Sequence, residues 1–434
     1  MSEPQYAPLE EWMESIFDYR GKTPEKTTAG IPLITAKVIK GGRIETPSEF
    51  IAPDAYDEWM RRGMPEAGDV VITTEAPLGE VAQLPKGKVA LAQRVITLRG
   101  KKGLVDNTFL KYLLLSRPFQ EDLEARATGT TVVGIKQSVL RKIDLAFPSF
   151  LDQKAIAHIL GTLDDKIELN RKTNETLEAM AKALFKSWFV DFDPVRAKAE
   201  VRPTGLPGEI SDLFPDSLVE SELGEIPSGW GVAAVGDLVY CVGGSTPSTS
   251  EPSYWDGGEN LWATPKDLSS LPAPFLLDTA KMITESGIRR ISSGVLPVGS
   301  VLLSSRAPVG YVAVTCVPVS INQGFIALMS NELMPSAFLL NWCLSNVQQF
   351  KDRASGTTFA EISKAAFRPI PILVPDQRIT KLFAKESQSL YDRIVSSMKQ
   401  SDLLESCRDT LLPKLISGEI RIPDAEKLLE EADV

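Results

Sequence analysis

The stretch ATGTTVVGIKQSVLRKIDLAFP at residues 127–148 has a second copy, ASGTTFAEISKAAFRPIPILVP, at residues 354–375. Ahead of each copy lies another matching pair, GDVVITTEAPLGEVA at 68–82 and GSVLLSSRAPVGYVA at 299–313. Any one pair could be a strand, a turn and a strand punctuated by glycine. That interpretation does not explain why the pairs keep their order along the chain.

Two shorter matches fit the same pattern. AQRVITLRG (92–100) resembles NQGFIALMS (322–330), and GKTP (21–24) parallels GSTP (244–247). Corresponding positions are offset by 223 to 231 residues in all the matches. Four matches in a preserved order indicate an internal duplication.

A long helix is predicted after each repeated block. In the first helix, the positions that alternate by four and three residues form a coiled-coil seam: Ile156, Leu160, Leu163, Ile167, Asn170, Asn174, Leu177, Ala181, Leu184 and Trp188. The second helix keeps the spacing with more polar members: Leu390, Ile394, Ser397, Ser401, Leu404, Arg408, Leu411 and Leu415. A helix from Asp152 to Val190 would be about 58 Å long. Because one helix would expose its seam, we expect the two to pair, antiparallel if the chain folds back, with the repeated blocks at opposite ends.

Asn170 and Asn174 interrupt the apolar seam of the first helix. They could be a solvated break in the apolar stripe. They could instead be a register lock that fixes the alignment of the two helices. Asp193-Pro194 is expected to stop this helix, because proline lacks the N–H that a continuing helix needs.

Each block also carries shorter elements. VVITT (70–74) and VLLSS (301–305) are predicted as buried strands that end in Ala-Pro turns. Residues 107–125 and 334–354 are predicted as amphipathic helices. The predicted fold class is α+β: two similar mixed α/β domains separated by two long helices that form an antiparallel coiled coil, with pseudo-twofold symmetry. The predicted boundaries are 1–150 for the first domain, 151–198 for the first spacer helix region, 199–230 for a linker rich in proline, glycine and acidic residues, 231–374 for the second domain, and 375–434 for the second spacer helix region and an acidic tail.

The net charge of −10 argues against a simple affinity for nucleic acid. The charge is unevenly distributed, however. Residues 1–150 carry 20 basic and 20 acidic side chains, and residues 231–375 carry 9 and 10. Much of the acidic excess lies in 201–230 and 419–434, each with six acidic side chains. The two repeated blocks are therefore close to neutral, and each can present a local basic face.

The composition is typical of a cytoplasmic protein. The four cysteines are far apart and only one histidine is present, so we expect no zinc site. The start, MSEPQYAPLEEW, is acidic without an apolar core, so no signal peptide is expected. No apolar run approaches the roughly 18 residues of a membrane span.

The ordered motifs closely resemble the specificity subunits of type I restriction–modification systems. The resemblance covers essentially the whole chain and rests on GGSTPSTS (243–250), WATPKDL (262–268), SSRAPVGYVA (304–313), INQGF (321–325), ASGTT (354–358), ALFKSWFVDFDPV (183–195) and LLPKLISGEI (411–420). The first block departs from the pattern, because Glu75 stands where the second block has Arg306. An acidic side chain cannot contact a phosphate favourably, so that role of Arg306 does not transfer to the first block.

The resemblance implies that the two domains are target recognition domains, each reading one half of a split DNA sequence. The helices would set the spacing and dock two methyltransferase subunits, and motor–nuclease subunits would complete the restriction enzyme. The chain itself would bind no cofactor. S-adenosylmethionine, ATP and Mg²⁺ would belong to the partner subunits.

No catalytic set is recognisable in the sequence. The lone histidine, His158, is expected to be a surface or packing residue beside the helix seam. The chain is therefore predicted to be a non-catalytic DNA-specificity subunit. The alternatives are a single enzyme that combines modification and recognition, and a coiled-coil scaffold that binds only protein. A mobility-shift assay with competitor DNA would separate the scaffold from a DNA reader.

Candidate DNA contacts are polar and basic residues near the repeated turns. Lysine and arginine can neutralise phosphates or read guanine, and threonine can bind phosphate. The candidates in the first domain are Lys37, Arg94, Thr130, Thr131 and Lys136, and those in the second are Lys266, Arg306, Thr357, Thr358 and Lys364. Each could instead be a solvated surface group, and the Gly-Thr-Thr segments also suit a tight turn.

Aromatic residues crowd the end of the first long helix: Phe185, Trp188, Phe189 and Phe192. They could pack the helix end onto a globular domain. They could instead form a docking patch for the methyltransferase partner.

Overall fold

The computed structural model describes residues 4–19, 23–129, 132–356 and 360–431. The chain divides into two compact units. The first comprises Met1–Glu168 and Ser401–Val434, and the second comprises Leu169–Gln400. Each unit therefore contains part of both long helices.

The first unit is built on a four-stranded antiparallel sheet with the spatial order β2-β10-β7-β8. A three-stranded sheet, β6-β3-β9, and two small pairs, β1-β11 and β4-β5, complete the strands. Their bounds are β1 (Gln5–Pro8), β2 (Met13–Asp18), β3 (Ile31–Ile34), β4 (Ile39–Lys40), β5 (Arg43–Ile44), β6 (Phe50–Ile51), β7 (Val70–Thr74), β8 (Leu78–Gln83), β9 (Ala90–Leu91), β10 (Val95–Gly100) and β11 (Asp144–Phe147). Every residue of β7 is buried, as its unbroken apolar and threonine sequence predicts.

The helices of this unit cover the central sheet. They are α1 (Leu9–Trp12), α2 (Tyr56–Trp59), α3 (Asn107–Leu115), α4 (Arg117–Ala125), α5 (Gln137–Leu140) and the first part of α6 (Phe150–Phe189). The predicted single helix over 107–125 is two helices, because Ser116 between them has an extended backbone and Pro118 lies in the first turn of the second. Asp106 caps α3, since its carboxylate accepts hydrogen bonds from the N–H groups of Thr108 and Phe109.

The second unit repeats this plan. Its central sheet has the order β15-β22-β19-β20-β17, and a three-stranded sheet has the order β18-β16-β21. Two pairs, β12-β13 and β14-β23, accompany them. The strands are β12 (Leu218–Ser221), β13 (Gly224–Pro227), β14 (Gly231–Ala234), β15 (Tyr240–Val242), β16 (Asn260–Ala263), β17 (Phe275–Leu276), β18 (Met282–Ile283), β19 (Val301–Ser304), β20 (Val312–Thr315), β21 (Ser320–Ile321), β22 (Phe325–Met329) and β23 (Pro371–Val374).

The helices complete the correspondence between the units. The remaining helices are α7 (Asp193–Ala199), α8 (Gly208–Ser211), α9 (Val235–Leu238), α10 (Pro265–Ser269), α11 (Glu285–Ile288), α12 (Ser336–Ser345), α13 (Val347–Asp352), α14 (Lys364–Phe367), α15 (Gln377–Ser417) and α16 (Ile422–Glu431). Of these, α16 and the part of α15 from Ser401 onward belong to the first unit. In both units a parallel pair, β3-β9 or β16-β21, accompanies a central sheet with four antiparallel strands, to which the second unit adds β17 in parallel with β20. The duplication predicted from the motifs is therefore a duplication of topology, and β17 is an addition at the edge of the second sheet.

The two long helices, α6 and α15, pack together antiparallel. In the first unit, Leu160 and Leu163 of α6 share a core with Leu404 and Leu411 of α15. In the second unit, the amide of Asn170 donates to the side-chain oxygen of Gln400 at 3.0 Å. Asn170 is buried and bonded to the opposite helix, which fits the register lock and not the solvated break.

Polar pairs also fix each long helix to its own core. In the first unit, Asp164 of α6 accepts hydrogen bonds from Lys111 Nζ at 2.7 Å and Tyr112 Oη at 2.6 Å, both on α3, and from Arg408 Nη1 of α15 at 3.0 Å. Burial alone would raise the pKa of Asp164, but Lys111, Tyr112 and Arg408 hold it below its ordinary value. This carboxylate therefore ties three helices together.

The second unit has a neutral pair at the equivalent place. Asn341 of α12 donates its amide hydrogen to the hydroxyl oxygen of Tyr391 on α15 at 2.6 Å. Both side chains are buried. The duplication has kept the position of the joint between long helix and core while changing its chemistry.

The segment predicted as a linker is part of the second unit. Phe214, Ile226 and Trp230 are buried in its core. The acidic tail contains α16, and Ala425 of that helix is buried in the core of the first unit. Both segments combine a charged outer surface with a few apolar anchors.

Candidate nucleic-acid interface

Segments that are distant in sequence meet at one end of the central sheet in the first unit. The N–H of Thr74, the last residue of β7, donates to the carbonyl of Arg94 at 2.9 Å. The N–H of Ile135 donates to the carbonyl of Thr74, and that of Ala92 to the carbonyl of Ile34, each at 2.9 Å. Four segments therefore lie side by side: the Ala-Pro turn, the turn before β10, the segment after Gly-Thr-Thr and the turn after β3.

The second unit brings together the same four segments with the same bonds. The N–H of Ser305 donates to the carbonyl of Gly324 at 2.8 Å, and the N–H of Ile362 donates to the carbonyl of Ser305 at 2.9 Å. The N–H of Asn322 donates to the carbonyl of Ala263 at 3.1 Å. We call each of these two places a four-segment site.

The Ala-Pro turns at the two sites have matching backbones. The Ala76–Pro77 and Ala307–Pro308 peptide bonds are both cis, and the alanines have φ values of 47° and 54°. The repeated sequence therefore builds a repeated turn.

The structure brings most of the predicted contact residues to these sites. Lys37 and Lys266 are exposed at equivalent positions, Lys37 in the short 3-10 helix that follows β3 and Lys266 in α10, which follows β16. Lys136 precedes α5 and is exposed. Lys364 begins α14 and lies beside the GGSTP segment, since a Cβ added at Gly243 would be 3.6 Å from its Nζ. Thr130, Thr131, Thr357 and Thr358 lie outside the described residues.

The two predicted arginines are both held by carboxylates. Arg94 Nε lies 2.8 Å from Glu75 Oε1 in the first unit, and Arg306 Nη1 lies 3.7 Å from Glu361 Oε2 in the second. Glu75 and Arg306 occupy equivalent turns, so this turn supplies the acidic partner in the first unit and the basic partner in the second. All four side chains are at least one-third exposed, so the ion pairs are open to exchange with another charged group.

Sequence reasoning missed two glutamines. Gln93 Nε2 donates to Thr23 Oγ1 at 3.2 Å, and the equivalent Thr246 hydroxyl donates to Gln323 Oε1. Each bond ties the G-x-T-P segment to the four-segment site. The signal was present, because both partners lie in repeated motifs, but the motifs did not show that they would touch.

The aromatic residues at the end of α6 are buried. Phe185, Trp188, Phe189 and Phe192 have 3%, 3%, 5% and 7% exposure and belong to the core of the second unit. The ring centroid of Phe189 lies 5.0 Å from that of Phe338. These side chains are therefore not a surface patch for a partner, and the alternative of core packing describes them.

The parts of the chain that the structure describes contain histidine, cysteine and carboxylate side chains, which could hold a metal ion if they were clustered. No group of three or more histidine, cysteine, aspartate or glutamate side chains there is arranged to hold a metal ion. His158 is exposed on α6. None of the helices over those residues is long and apolar enough to span a membrane.

Comparison with known proteins identifies the family. The model of the type I restriction modification DNA specificity domain matches twice, at residues 20–179 and 227–401. The type I restriction enzyme HindI specificity subunit of Haemophilus influenzae is 29% identical over 374 residues, which is 76% of this chain and 81% of that protein. The MjaIX specificity subunit of Methanocaldococcus jannaschii is 27% identical over 410 residues, covering 93% and 90%.

A solved structure has the same fold. The crystal structure of a type I restriction–modification S subunit from M. genitalium aligns with a TM-score of 0.55 and 16% identity, covering 96% of this chain and 99% of that one. The two family matches fall on the two copies of the repeat, the first mostly in the first unit and the second mostly in the second unit. The chain belongs to the type I restriction–modification DNA specificity family, as a specificity subunit with two target recognition domains.

Proposed function

We propose that each recognition domain reads one half of a bipartite double-stranded DNA target. The observation that carries the proposal is the four-segment site, which occurs once in each domain with the same backbone bonds. Its basic residues suit phosphate and base contacts. The charged residues differ between the copies, as two readers of different half-sites require.

The long helices would serve as the spacer and as the docking site for two methyltransferase subunits, with motor–nuclease subunits completing the restriction enzyme. A stiff antiparallel pair suits a reader that must hold two modules at a fixed spacing along the duplex. The duplicated topology suits two copies of one partner. The buried rings at the end of α6 do not serve this docking, so partner contacts would fall on exposed faces of α6 and α15.

We infer that this subunit contributes no catalytic step. Its relatives are named as specificity subunits. S-adenosylmethionine, ATP and Mg²⁺ would then be bound by the partner subunits, and the complex would work in the cytoplasm. The isolated chain should transfer no methyl group to DNA, and transfer by material free of contaminating enzyme would contradict the inference.

Exchange of one domain tests the modular reading. Residues 231–374 are replaced by the corresponding block of a related subunit with a different target, and the methylated sequence is determined in cells. One half of the target should change. The other half and the number of unread bases should stay, because the first domain and both helices are untouched. The reciprocal exchange of residues 1–150 is the matched control. A change in both halves would show one joint reading surface instead.

A further inference from the structure

Two Arg-Arg pairs stand out once the units are compared. The sequence contains this dipeptide twice, as Arg61-Arg62 and Arg289-Arg290, 228 residues apart. That spacing falls within the offsets of the repeated motifs. Each pair follows the short helix between the three-stranded sheet and the central sheet, α2 in the first unit and α11 in the second. The pairs therefore occupy equivalent places in the two domains.

The first pair lies at the same sheet end as the four-segment site. Arg62 Nη1 donates to the carbonyl of Asp18 at 2.8 Å. Asp18 ends β2, and its register partner Ile96 is the second residue of β10, which begins directly after Arg94. The side chain of Arg61 is 68% exposed, with its Nη2 2.5 Å from Glu58 Oε1.

The second pair adjoins the GGSTP segment of the second unit, which leads into its four-segment site. The hydroxyl of Ser245 donates to the carbonyl of Arg290 at 3.3 Å, next to Thr246, which bonds Gln323. The guanidinium carbon of Arg290 lies 5.7 Å from the ring centroid of Tyr254. Arg289 and Arg290 are both exposed.

We propose that the two Arg-Arg pairs are a duplicated phosphate-binding element that positions each domain on the DNA backbone without reading its sequence. Side chains that read bases must differ between domains that read different half-sites. A pair that is the same in both domains suits what both half-sites share, which is the sugar–phosphate backbone. The proposal rests on DNA reading by each domain, as proposed above.

The test is the salt dependence of DNA binding by the full chain carrying R61A/R62A or R289A/R290A. The logarithm of the binding constant is measured against the logarithm of salt concentration, on a duplex carrying the methylated sequence and on an unrelated duplex. Removal of two phosphate contacts should lower the slope by about 1.8 on both duplexes. The sequence methylated in cells should not change.

The matched control is K101A/K102A. These two adjacent lysines follow β10 at its other end, away from the four-segment site, and both are exposed. This variant should keep the wild-type slope. R61K/R62K should keep the slope as well, because lysine also neutralises phosphate. If an alanine variant fails to fold, R61Q/R62Q and R289Q/R290Q remove the charges while retaining much of the side-chain volume.

Several outcomes would overturn the proposal. A folded variant with the wild-type slope would show that the arginines only support the neighbouring segments. A changed base at one position of the methylated sequence would show that they read bases. Wild-type chain that does not prefer the methylated sequence would instead contradict DNA reading itself. Wild-type preference with an unaltered slope in the arginine variants would contradict this inference alone.

Discussion

Arg94 and Glu75 form an ion pair, Nε to Oε1 at 2.8 Å, at the place where the first recognition domain is expected to meet DNA. The carboxylate of Glu75 binds the guanidinium of Arg94, which could otherwise bind a phosphate or a guanine. In the second domain Gly324 takes the place of Arg94, and Arg306 takes that of Glu75. The two sites thus share a backbone and differ in which segment supplies the positive charge.

Glu75→Gln should strengthen DNA binding by the first domain. Without the competing carboxylate, Arg94 becomes available to a phosphate, and the salt slope should steepen by up to about one. Glu66→Gln is the control, because Glu66 also pairs with an arginine, Arg99 at 2.7 Å, close to the other end of β10. Binding isotherms at several salt concentrations make the comparison. Weaker binding by Glu75→Gln would mean that Glu75 positions Arg94 for DNA.

Arg306→Ala should weaken DNA binding by the second domain. If Arg306 contacts a phosphate, the affinity should fall for all DNA sequences and the salt slope should decrease by about one. If it reads guanine, discrimination at one base should fall by about 1–3 kcal/mol. Arg378→Ala removes another arginine that is paired with a carboxylate, Asp376, and should bind as wild type does. Wild-type affinity together with wild-type salt dependence in Arg306→Ala would reject both roles.

The two buried asparagines of α6 should respond in opposite ways. Asn170→Ala loses the bond to Gln400 and should lower the free energy of unfolding by about 1–2 kcal/mol. Asn174 Oδ1 is buried without a hydrogen-bond partner among the described residues, so Asn174→Leu should raise the free energy of unfolding by about 1 kcal/mol. Urea denaturation measures both. Equal losses in the two variants would show that the asparagines contribute alike.

Asp164→Asn should destabilise the first unit. It removes the carboxylate that Lys111 and Arg408 share and should lower the free energy of unfolding by about 3 kcal/mol. The pKa of Asp164 is lowered in the folded chain, so its contribution is complete above the unfolded pKa and is lost as the pH falls. The difference in free energy of unfolding between wild type and variant should therefore become smaller below about pH 4. Exposed Asp165→Asn is the control, and a gap that does not change with pH would contradict this role of the charge.

The duplication and the two long helices could be predicted because their signals are local and periodic. The seam residues from Ile156 to Trp188 alternate as a coiled coil requires, and the repeated turns keep their motifs. The lysines and arginines of the site could be proposed for the same reason, since they lie beside those motifs.

The rest depends on contacts that sequence spacing does not encode. Asp164 and Arg408 are 244 residues apart, and neither lies in a motif that suggests the other. The sequence favoured packing for the aromatic residues at the end of α6 but left docking open as the alternative. The contacts with Phe214 and Trp230, both from the predicted linker, bury these rings in the core. The ion pairs of Arg94 and Arg306 likewise needed the turns to be placed side by side.

The joints between long helix and core give the two halves of the chain separate identities. Asp164 pairs with the ammonium group of Lys111 on α3, whereas Tyr391 accepts a hydrogen bond from the amide of Asn341 on α12. If α15 took the place of α6 against α3, Tyr391 would meet Lys111 and leave a buried ammonium ion without a carboxylate. A chain made of two similar halves is at risk of pairing the wrong helix with the wrong core while it folds. The two side chains that differ between the joints would make that error costly.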